Sequence, residues 1–378
     1  MRYVTYGKTG LEVSRLGLGC MRLPSYEKDG KTIFDEEKSI ALIHRAMELG
    51  VNYFDTAPGY CDTLSEIIVG KALKGGRREK VFLSTKNPIE NDSGDDYEKR
   101  FETSLKKLDT DYIDFYHFWG ITLDAFIHKI HIPDGPFARA KKLKAQGMIR
   151  HISFSFHDAP DNMAEIIRRG EGEISSLLCQ YNLLDHSNEK GINFAHAEGL
   201  GIAVMGPVGG GRLGAPTKVI QDLLPGKVHS SAEVALRYVF SNPHIHIALS
   251  GMSSIEQLEE NAAITDNTAP LSPAEQERIL GVMKENERLA GLYCTGCKYC
   301  MPCPQGINIP EIFTLMNYHR VYQITEFARK TYSQIGKLPW MMYKDAAACV
   351  ECGVCEEKCP QKLPIRKQLK ETHKALAV

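Results

Sequence analysis

The sequence predicts an α/β protein: a (β/α)8 barrel with an N-terminal β-hairpin, followed by a small, mainly α-helical, cysteine-rich domain. Three observations carry this reading. Eight apolar, strand-like runs alternate with eight helix-periodic segments, which implies a parallel sheet buried on both faces, and eight units is the number that closes into a barrel. The alternative, a doubly wound open sheet, lacks its nucleotide turn: Gly17-Leu18-Gly19-Cys20-Met21-Arg22 after the first strand fails Gly-x-Gly-x-x-Gly at the third glycine. Finally, eight of the eleven cysteines crowd into the last quarter of the 378 residues.

In chain order, residues 2–6 and 11–13 flank Lys8-Thr9-Gly10 as a hairpin, suited to covering one end of a core. Strand runs follow at 16–20, 52–56, 81–85, 112–118, 149–155, 176–181, 202–206 and 245–249. The helical segments between and after them are 36–49, 65–73, 97–108, 138–145, 163–169, 189–197, 232–240 and 255–264. Ser230 and Glu233 form a capping-box pattern, and Ser272-Pro273-Ala274-Glu275 opens a charged helix reaching about residue 290. Composition changes abruptly there, which sets a boundary near Gly291 and domains of 1–290 and 291–378. The tail holds two cysteine runs separated by a helical stretch at about 309–329 and a loop around 336–340. The longest barrel loops, 120–136 after the fourth strand and 207–228 after the seventh, lie where such loops shape binding pockets.

A net charge of −1 without a basic face argues against nucleic acid as a partner. No apolar run of about 18 residues exists to cross a bilayer, and residues 1–6 lack the apolar core of a signal peptide. The expectation is a soluble cytoplasmic protein without a membrane partner. Cysteines crowded into one short segment then argue for metal in a reducing compartment rather than for disulfides.

Asn52-Tyr53-Phe54-Asp55-Thr56-Ala57-Pro58-Gly59-Tyr60 reads as a buried strand running into a loop, which sets Asp55 and Tyr60 at the strand's carboxyl end. Lys86 and His117 fall at the ends of the next two strand runs, and in a barrel those ends converge over one mouth. Taken singly, each has a plainer reading: a solvated Asp, a packing Tyr, a salt-bridged Lys, a core His. Together they compose a proton-delivery site. A phenol titrates near 10 and needs a neighbouring cation to stabilise its phenolate. Lys86 supplies that charge, Asp55 holds Lys86, and His117 donates a hydrogen bond to a carbonyl oxygen.

The sequence resembles the aldo-keto reductase family over about residues 2–270. The likeness runs through Tyr6-Gly7-Lys8-Thr9-Gly10-Leu11-Glu12-Val13-Ser14, Leu16-Gly17-Leu18-Gly19, Asp55-Thr56-Ala57, Ser65-Glu66 and Glu260-Asn261. The resemblance implies that the family's catalytic Asp-Tyr-Lys-His tetrad maps onto Asp55, Tyr60, Lys86 and His117. It further implies a nicotinamide site, with Ser155, Gln180 and nearby Asn182 at the carboxamide and Glu260 and Asn261 near the adenine. The loop 206–213 would meet the pyrophosphate, through Gly206, Gly209, Gly210, Gly211, Arg212 and Leu213. Its glycines let backbone N–H groups approach a phosphate and Arg212 adds charge; an ordinary flexible loop is the alternative. Two positions depart from the family pattern. Phe156 follows Ser155 where the family has Asn, and around Met252 and Gln257 neutral residues stand where the family offers Lys and Arg to the 2′-phosphate of NADP. A missing charge-assisted contact of about 1.5–3 kcal/mol tilts the expectation from NADP toward NAD or weak nicotinamide binding.

Cys294, Cys297, Cys300 and Cys303, each separated by two residues, precede Pro304; Cys349, Cys352, Cys355 and Cys359 precede Pro360. The second run matches the bacterial ferredoxin spacing in full and the first is one residue short, so the eight thiolates are expected to hold two [4Fe–4S] clusters. In the two-cluster arrangement the last cysteine of each run crosses over, which groups Cys303 with Cys349, Cys352 and Cys355, and Cys359 with the first three. Zinc is the alternative, although one tetrahedral ion needs no such run. Cys20, Cys61 and Cys179 read as small packing groups, with Cys61 notable beside Tyr60. The function expected is an NAD(P)-linked oxidoreductase for a small carbonyl or alcohol, coupled to or regulated by its clusters and exchanging electrons with a ferredoxin-like partner. The alternatives are a cluster-driven reductase without obligatory nicotinamide and a non-catalytic electron-transfer subunit.

Overall fold

The computed structural model describes residues 1–378 apart from 29–30, 90–92, 210–212, 214–217, 224–229, 290–293, 295–299, 360–361 and 378. Strands β1 (Tyr3–Thr5) and β2 (Glu12–Ser14) pair antiparallel as the N-terminal hairpin. Then come β3 (Leu16–Gly19), a second hairpin of β4 (Ser25–Lys28) and β5 (Lys31–Phe34), β6 (Tyr53–Asp55), β7 (Phe82–Pro88) and β8 (Ile113–Ile121). The series ends with β9 (Ile149–Phe156), β10 (Ile174–Gln180), β11 (Gly201–Met205) and β12 (Ile247–Ser250). Strands β3 and β6 through β12 close into one parallel eight-stranded barrel, β12 pairing back onto β3. All eight strand runs read from the sequence are its staves.

The strands of this barrel read as apolar because both their faces are covered. At its amino end Tyr6, fully buried, stands edge-on to Phe115 at 5.2 Å and to Tyr53 at 5.8 Å. Val13, Leu178, Ala203 and Ile247 complete that cluster. Burying such a ring, ~200 Å² at ~25 cal/mol per Å², is worth about 5 kcal/mol before its unpartnered hydroxyl is set against it. The hairpin therefore seals one end of the barrel and leaves the other for chemistry.

Two differences from the sequence reading matter for the site. Strands β7 and β8 run past the expected ends, to Pro88 and Ile121, so Lys86 and His117 sit inside strands rather than at their ends. The β4–β5 hairpin was not expected; Glu27, Lys28 and Lys31 are poor strand formers, and the Asp29-Gly30 pair was the turn signal for it. The box at Ser272 is complete, with Ser272 N–H donating to Glu275 Oε2 at 2.8 Å and Glu275 N–H to Ser272 Oγ at 3.3 Å; at the other, Ser230 Oγ caps Glu233 N–H at 3.2 Å.

Residues 1–211 with 235–271 pack as one compact unit, and 212–234 with 272–378 as a second. The boundary read from composition falls on 290–293, outside the described residues. Within the second unit the single helix expected at 309–329 is two, Ile309–Arg320 and Thr325–Tyr332, parted at Gln323, whose φ of 56° is left-handed; no glycine or proline marks that break. Tyr332 Oη accepts from Ala346 N–H at 3.0 Å and lies 2.9 Å from His373 Nδ1, tying the turn before the second cysteine run to the last helix, Ile365–Leu376. Among the described residues no helix is long and apolar enough to cross a membrane.

Candidate active site

Parallel pairing brings three of the four tetrad candidates, Asp55, Lys86 and His117, onto three adjacent strands. Asp55 is in register with Ser84, and Lys86 with His117. Alternation along β7 turns Ser84 and Lys86 to one side and Thr85 to the other. Lys86 Nζ pairs with Asp55 Oδ1 and donates to the Thr56 carbonyl at 2.8 Å, while Ser84 Oγ donates to Asp55 Oδ2 at 2.6 Å. Asp55 and Lys86 are 2% and 1% exposed, so the pair is fully withdrawn from water. Sequence reasoning missed Ser84, although the two-residue period shared with Lys86 was the signal for it.

Tyr60 stands beyond β6 with its ring centroid 4.7 Å from Lys86 Nζ, so phenol and ammonium face each other. Trp119 meets Tyr60 edge-on at 5.8 Å and props it from the far side. Burial disfavours the Lys86 cation, but its neighbours, the Asp55 carboxylate foremost, outweigh that and raise it above its ordinary value. Tyr60 behaves differently from the sequence expectation. Burial raises the phenol by more than Lys86 lowers it, so Tyr60 stays protonated at neutral pH and is equipped to give a proton rather than to take one.

His117 is completely buried and neither ring nitrogen makes a hydrogen bond of good geometry to the protein. Burial lowers it to about 4, so the ring is neutral at pH 7 and carries one N–H. The same figure applies to His246 at the barrel's amino end, where burial disfavours the cation and Nδ1 accepts from Ile202 N–H at 3.1 Å. Both imidazoles must take up protons on unfolding below pH 6.5. Stability is therefore expected to be whole above that value and to fall between pH 6.5 and about 4, by up to about 3 kcal/mol for each ring. Urea unfolding at pH 7 and pH 4.5 measures the loss, which His117→Phe would reduce.

A cavity of about 210 Å³ opens beside these residues, lined by Asp55, Tyr60, Gln180, Met205, Gly206 and Arg22 among others. The nucleotide candidates divide around it. Gln180 and Gly206 line it directly. Gly206 has φ +61°, which favours glycine, and a Cβ there would stand 3.0 Å from Gln180 Oε1 and press that side chain aside. Gly206→Ala is expected to cost about 1–2 kcal/mol, read from the denaturant midpoint. Gly209 N–H closes a turn onto the Gly206 carbonyl at 2.8 Å. Ser155 is buried and its Oγ accepts from Gly120 N–H at 2.7 Å, leaving its own proton to donate. Asn182 is buried with Oδ1 accepting from Leu184 and Asp185 N–H, while its Nδ2 has no partner. Asn261 is buried against Ser250 Oγ at 3.2 Å, and Glu260 is exposed. Leu213 is buried in the segment that packs with the second unit. Gly210, Gly211 and Arg212 lie outside the described residues. Glycine cradle and orphaned amide suit a nicotinamide nucleotide. Met252, however, is buried, and Gln257 Oε1 is occupied by Ser253 N–H at 3.0 Å.

In the tail Cys294, Cys300, Cys303, Cys349, Cys352, Cys355 and Cys359 form no disulfide among the described residues, and Cys297 lies outside them. Cys355 and Cys359 are buried and Cys352 is exposed. Gly353, left-handed at φ +83°, turns the chain between Cys352 and Cys355. Burial raises the Cys355 thiol, and the sulfurs of Cys349 and Cys352 are near enough to raise it further. Among the described residues no three His, Cys, Asp or Glu side chains converge on one ion. A cubane asks instead for four thiolates spread around a cluster, and Cys349, Cys352 and Cys355, gathered around the turn at Gly353, suit three of its corners. Cys20, Cys61 and Cys179 are buried, their thiols raised by burial.

A model of the aldo/keto reductase family matches residues 15–283. The chain belongs to that family. A 4Fe-4S dicluster domain matches 293–363, so this reductase carries an iron–sulfur domain behind its barrel. Among solved structures, the holo form of aldo-keto reductase AKR11C1 from Bacillus halodurans is 31% identical at a TM-score of 0.64, covering 74% of this chain and 96% of that one. L-galactose dehydrogenase of Arabidopsis thaliana is 29% identical over 290 residues, 69% of this chain and 87% of the relative. The oxidoreductase YqkF of Bacillus subtilis is 27% identical over 296 residues, 69% of this chain and 90% of the relative.

Proposed function

We propose that this aldo/keto reductase reduces a small carbonyl, or oxidises the corresponding alcohol, with Tyr60 as proton donor, and that two [4Fe–4S] clusters are coupled to that turnover or regulate it. The observation that carries the reading is the Lys86 ammonium, buried against both the Asp55 carboxylate and the Tyr60 phenol. A bound nicotinamide nucleotide would supply the hydride. Gln180, Ser155 and the unpartnered Nδ2 of Asn182 would hold its carboxamide, and the glycine turn at Gly206 and Gly209 its phosphates. His117 would hold the carbonyl oxygen through one N–H while Tyr60 Oη delivers the proton to it. Lys86 then steadies the phenolate left behind, with Asp55 fixing Lys86 in place. Met252 and Gln257 offer no cation to a 2′-phosphate, which supports NAD over NADP.

In the tail, Cys303, Cys349, Cys352 and Cys355 would hold one cluster and Cys294, Cys297, Cys300 and Cys359 the other. Cubanes pass single electrons, so a ferredoxin-like carrier is the expected partner. Free thiols and cluster ligands suit a reducing compartment such as the cytoplasm. The neutral residues at Met252 and Gln257 also support a second reading, in which the clusters drive reduction without obligatory nicotinamide. Anaerobic titration of the iron-loaded protein, first with NADH and then with NADPH, separates them. The first reading expects nucleotide binding with NADH preferred, and bleaching of the iron–sulfur absorption if the clusters join turnover. Cluster reduction by dithionite with no nucleotide binding would favour the second.

A further inference from the structure

Ser65 and Glu66 stand in the stretch shared with the family, yet the proton-delivery scheme gives them no task. The turn that carries Tyr60 into them is unusual. Cys61, Asp62 and Thr63 are consecutive left-handed residues, with φ of 52°, 50° and 72°, and none is glycine. Such a turn persists only where its surroundings over-determine it. Here they do. Ser65 N–H donates to the Tyr60 carbonyl at 3.2 Å. Ser65 Oγ donates to the Cys20 carbonyl at 2.8 Å and lies 2.7 Å from Thr56 Oγ1, which completes the bond as donor. Cys61 Sγ also faces the Cys20 and Met21 carbonyls, at 3.4 and 3.6 Å.

Glu66 secures the other side. It is fully buried, and its Oε1 accepts from Thr85 Oγ1 at 2.8 Å. Thr85 is the residue before Lys86, and Thr56 is the residue whose carbonyl accepts from Lys86 Nζ. The latch therefore joins the Tyr60 turn to Cys20 and to two neighbours of Lys86, Thr56 and Thr85. A carboxylate buried at this depth with only a distant ammonium, Lys107 at 3.9 Å, is costly to retain for packing alone.

We propose that Ser65 and Glu66 are positioning residues for the proton donor: they bind the strained Tyr60 turn to Cys20, Thr56 and Thr85 and so set the phenol against Lys86. This rests on Tyr60 being that donor, and its test is chosen to fail separately. Tyrosine labelled with 13C at Cζ, with the Tyr60 resonance assigned by Tyr60→Phe, reports the phenol's titration without any substrate. In Ser65→Ala, and in Thr85→Val, the turn loosens and water reaches the phenol, so its titration is expected to move down toward the ordinary value near 10. Reduction of 4-nitrobenzaldehyde by NADH or NADPH is expected to lose about tenfold in kcat with KM held within about twofold, since only delivery of the proton is disturbed. Ser65→Thr and Thr85→Ser keep the hydroxyls and should restore both readouts. Folded Ser65→Ala and Thr85→Val proteins with wild-type titration and wild-type kcat overturn the proposal. If Ser65→Ala does not fold, Thr56→Val removes the same hydroxyl bond and is read in the same way. A Tyr60→Phe protein that turns over as fast as the wild type would overturn the donor assignment instead, while the titration of Tyr60 in the wild type and the latch variants would still judge the latch.

Discussion

Replacing Tyr60 with phenylalanine is expected to lower kcat for carbonyl reduction by about 10²–10⁴, the range set by removing a positioned general acid. The substitution deletes one oxygen and leaves the ring, so the contacts with Trp119 and with the Lys86 ammonium keep their shape. Binding of nucleotide and reduction of the tail clusters by dithionite should therefore be unchanged. That combination also sets the enzyme apart from a non-catalytic electron-transfer subunit, in which Tyr60→Phe would change nothing measurable. In steady-state assays kcat and kcat/KM should fall together, because the proton is given only in the transition state.

Lys86→Met is expected to damage both folding and chemistry. The ammonium makes a buried ion pair with Asp55 and a hydrogen bond to the Thr56 carbonyl. Removing it leaves the Asp55 carboxylate, 2% exposed, with Ser84 Oγ as its remaining hydrogen-bond donor. Breaking a buried pair from one side commonly costs about 3–5 kcal/mol, so the unfolding midpoint should drop sharply. Asp55→Asn in the same background removes the stranded charge and should recover part of that loss. Activity would not return with it, since no cation remains to steady the phenolate of Tyr60. Denaturant unfolding of the two single variants and the double variant gives the coupling energy directly.

The barrel was legible because its strands are buried on both faces and so appear as eight uninterrupted apolar runs, a pattern that depends little on neighbours. The tetrad was legible because its residue types recur at successive strand ends. Less visible was anything decided by packing across strands. Ser84 faces Asp55 only because β6 and β7 pair in that register. The Tyr60 phenol is raised rather than lowered because its burial outweighs the nearby ammonium, a balance no linear pattern records. The break at Gln323 and the left-handed turn at Cys61–Thr63 occur without glycine, and the second is fastened by bonds from Cys61 and Ser65 to the distant Cys20 carbonyl. The β4–β5 hairpin, by contrast, had its signal in Asp29-Gly30, hidden among charged residues.

The most direct test of the account follows the hydride. NADH and NADPH deuterated at C4 would be turned over anaerobically with a panel of aldehydes and ketones, 4-nitrobenzaldehyde first, by the cluster-loaded protein and by its Tyr60→Phe variant. The account predicts deuterium on the carbinol carbon of the product alcohol from the wild type, from NADH more readily than from NADPH, and almost none from the variant in the same time. Alcohol formed without deuterium, or formed equally by Tyr60→Phe, would contradict it.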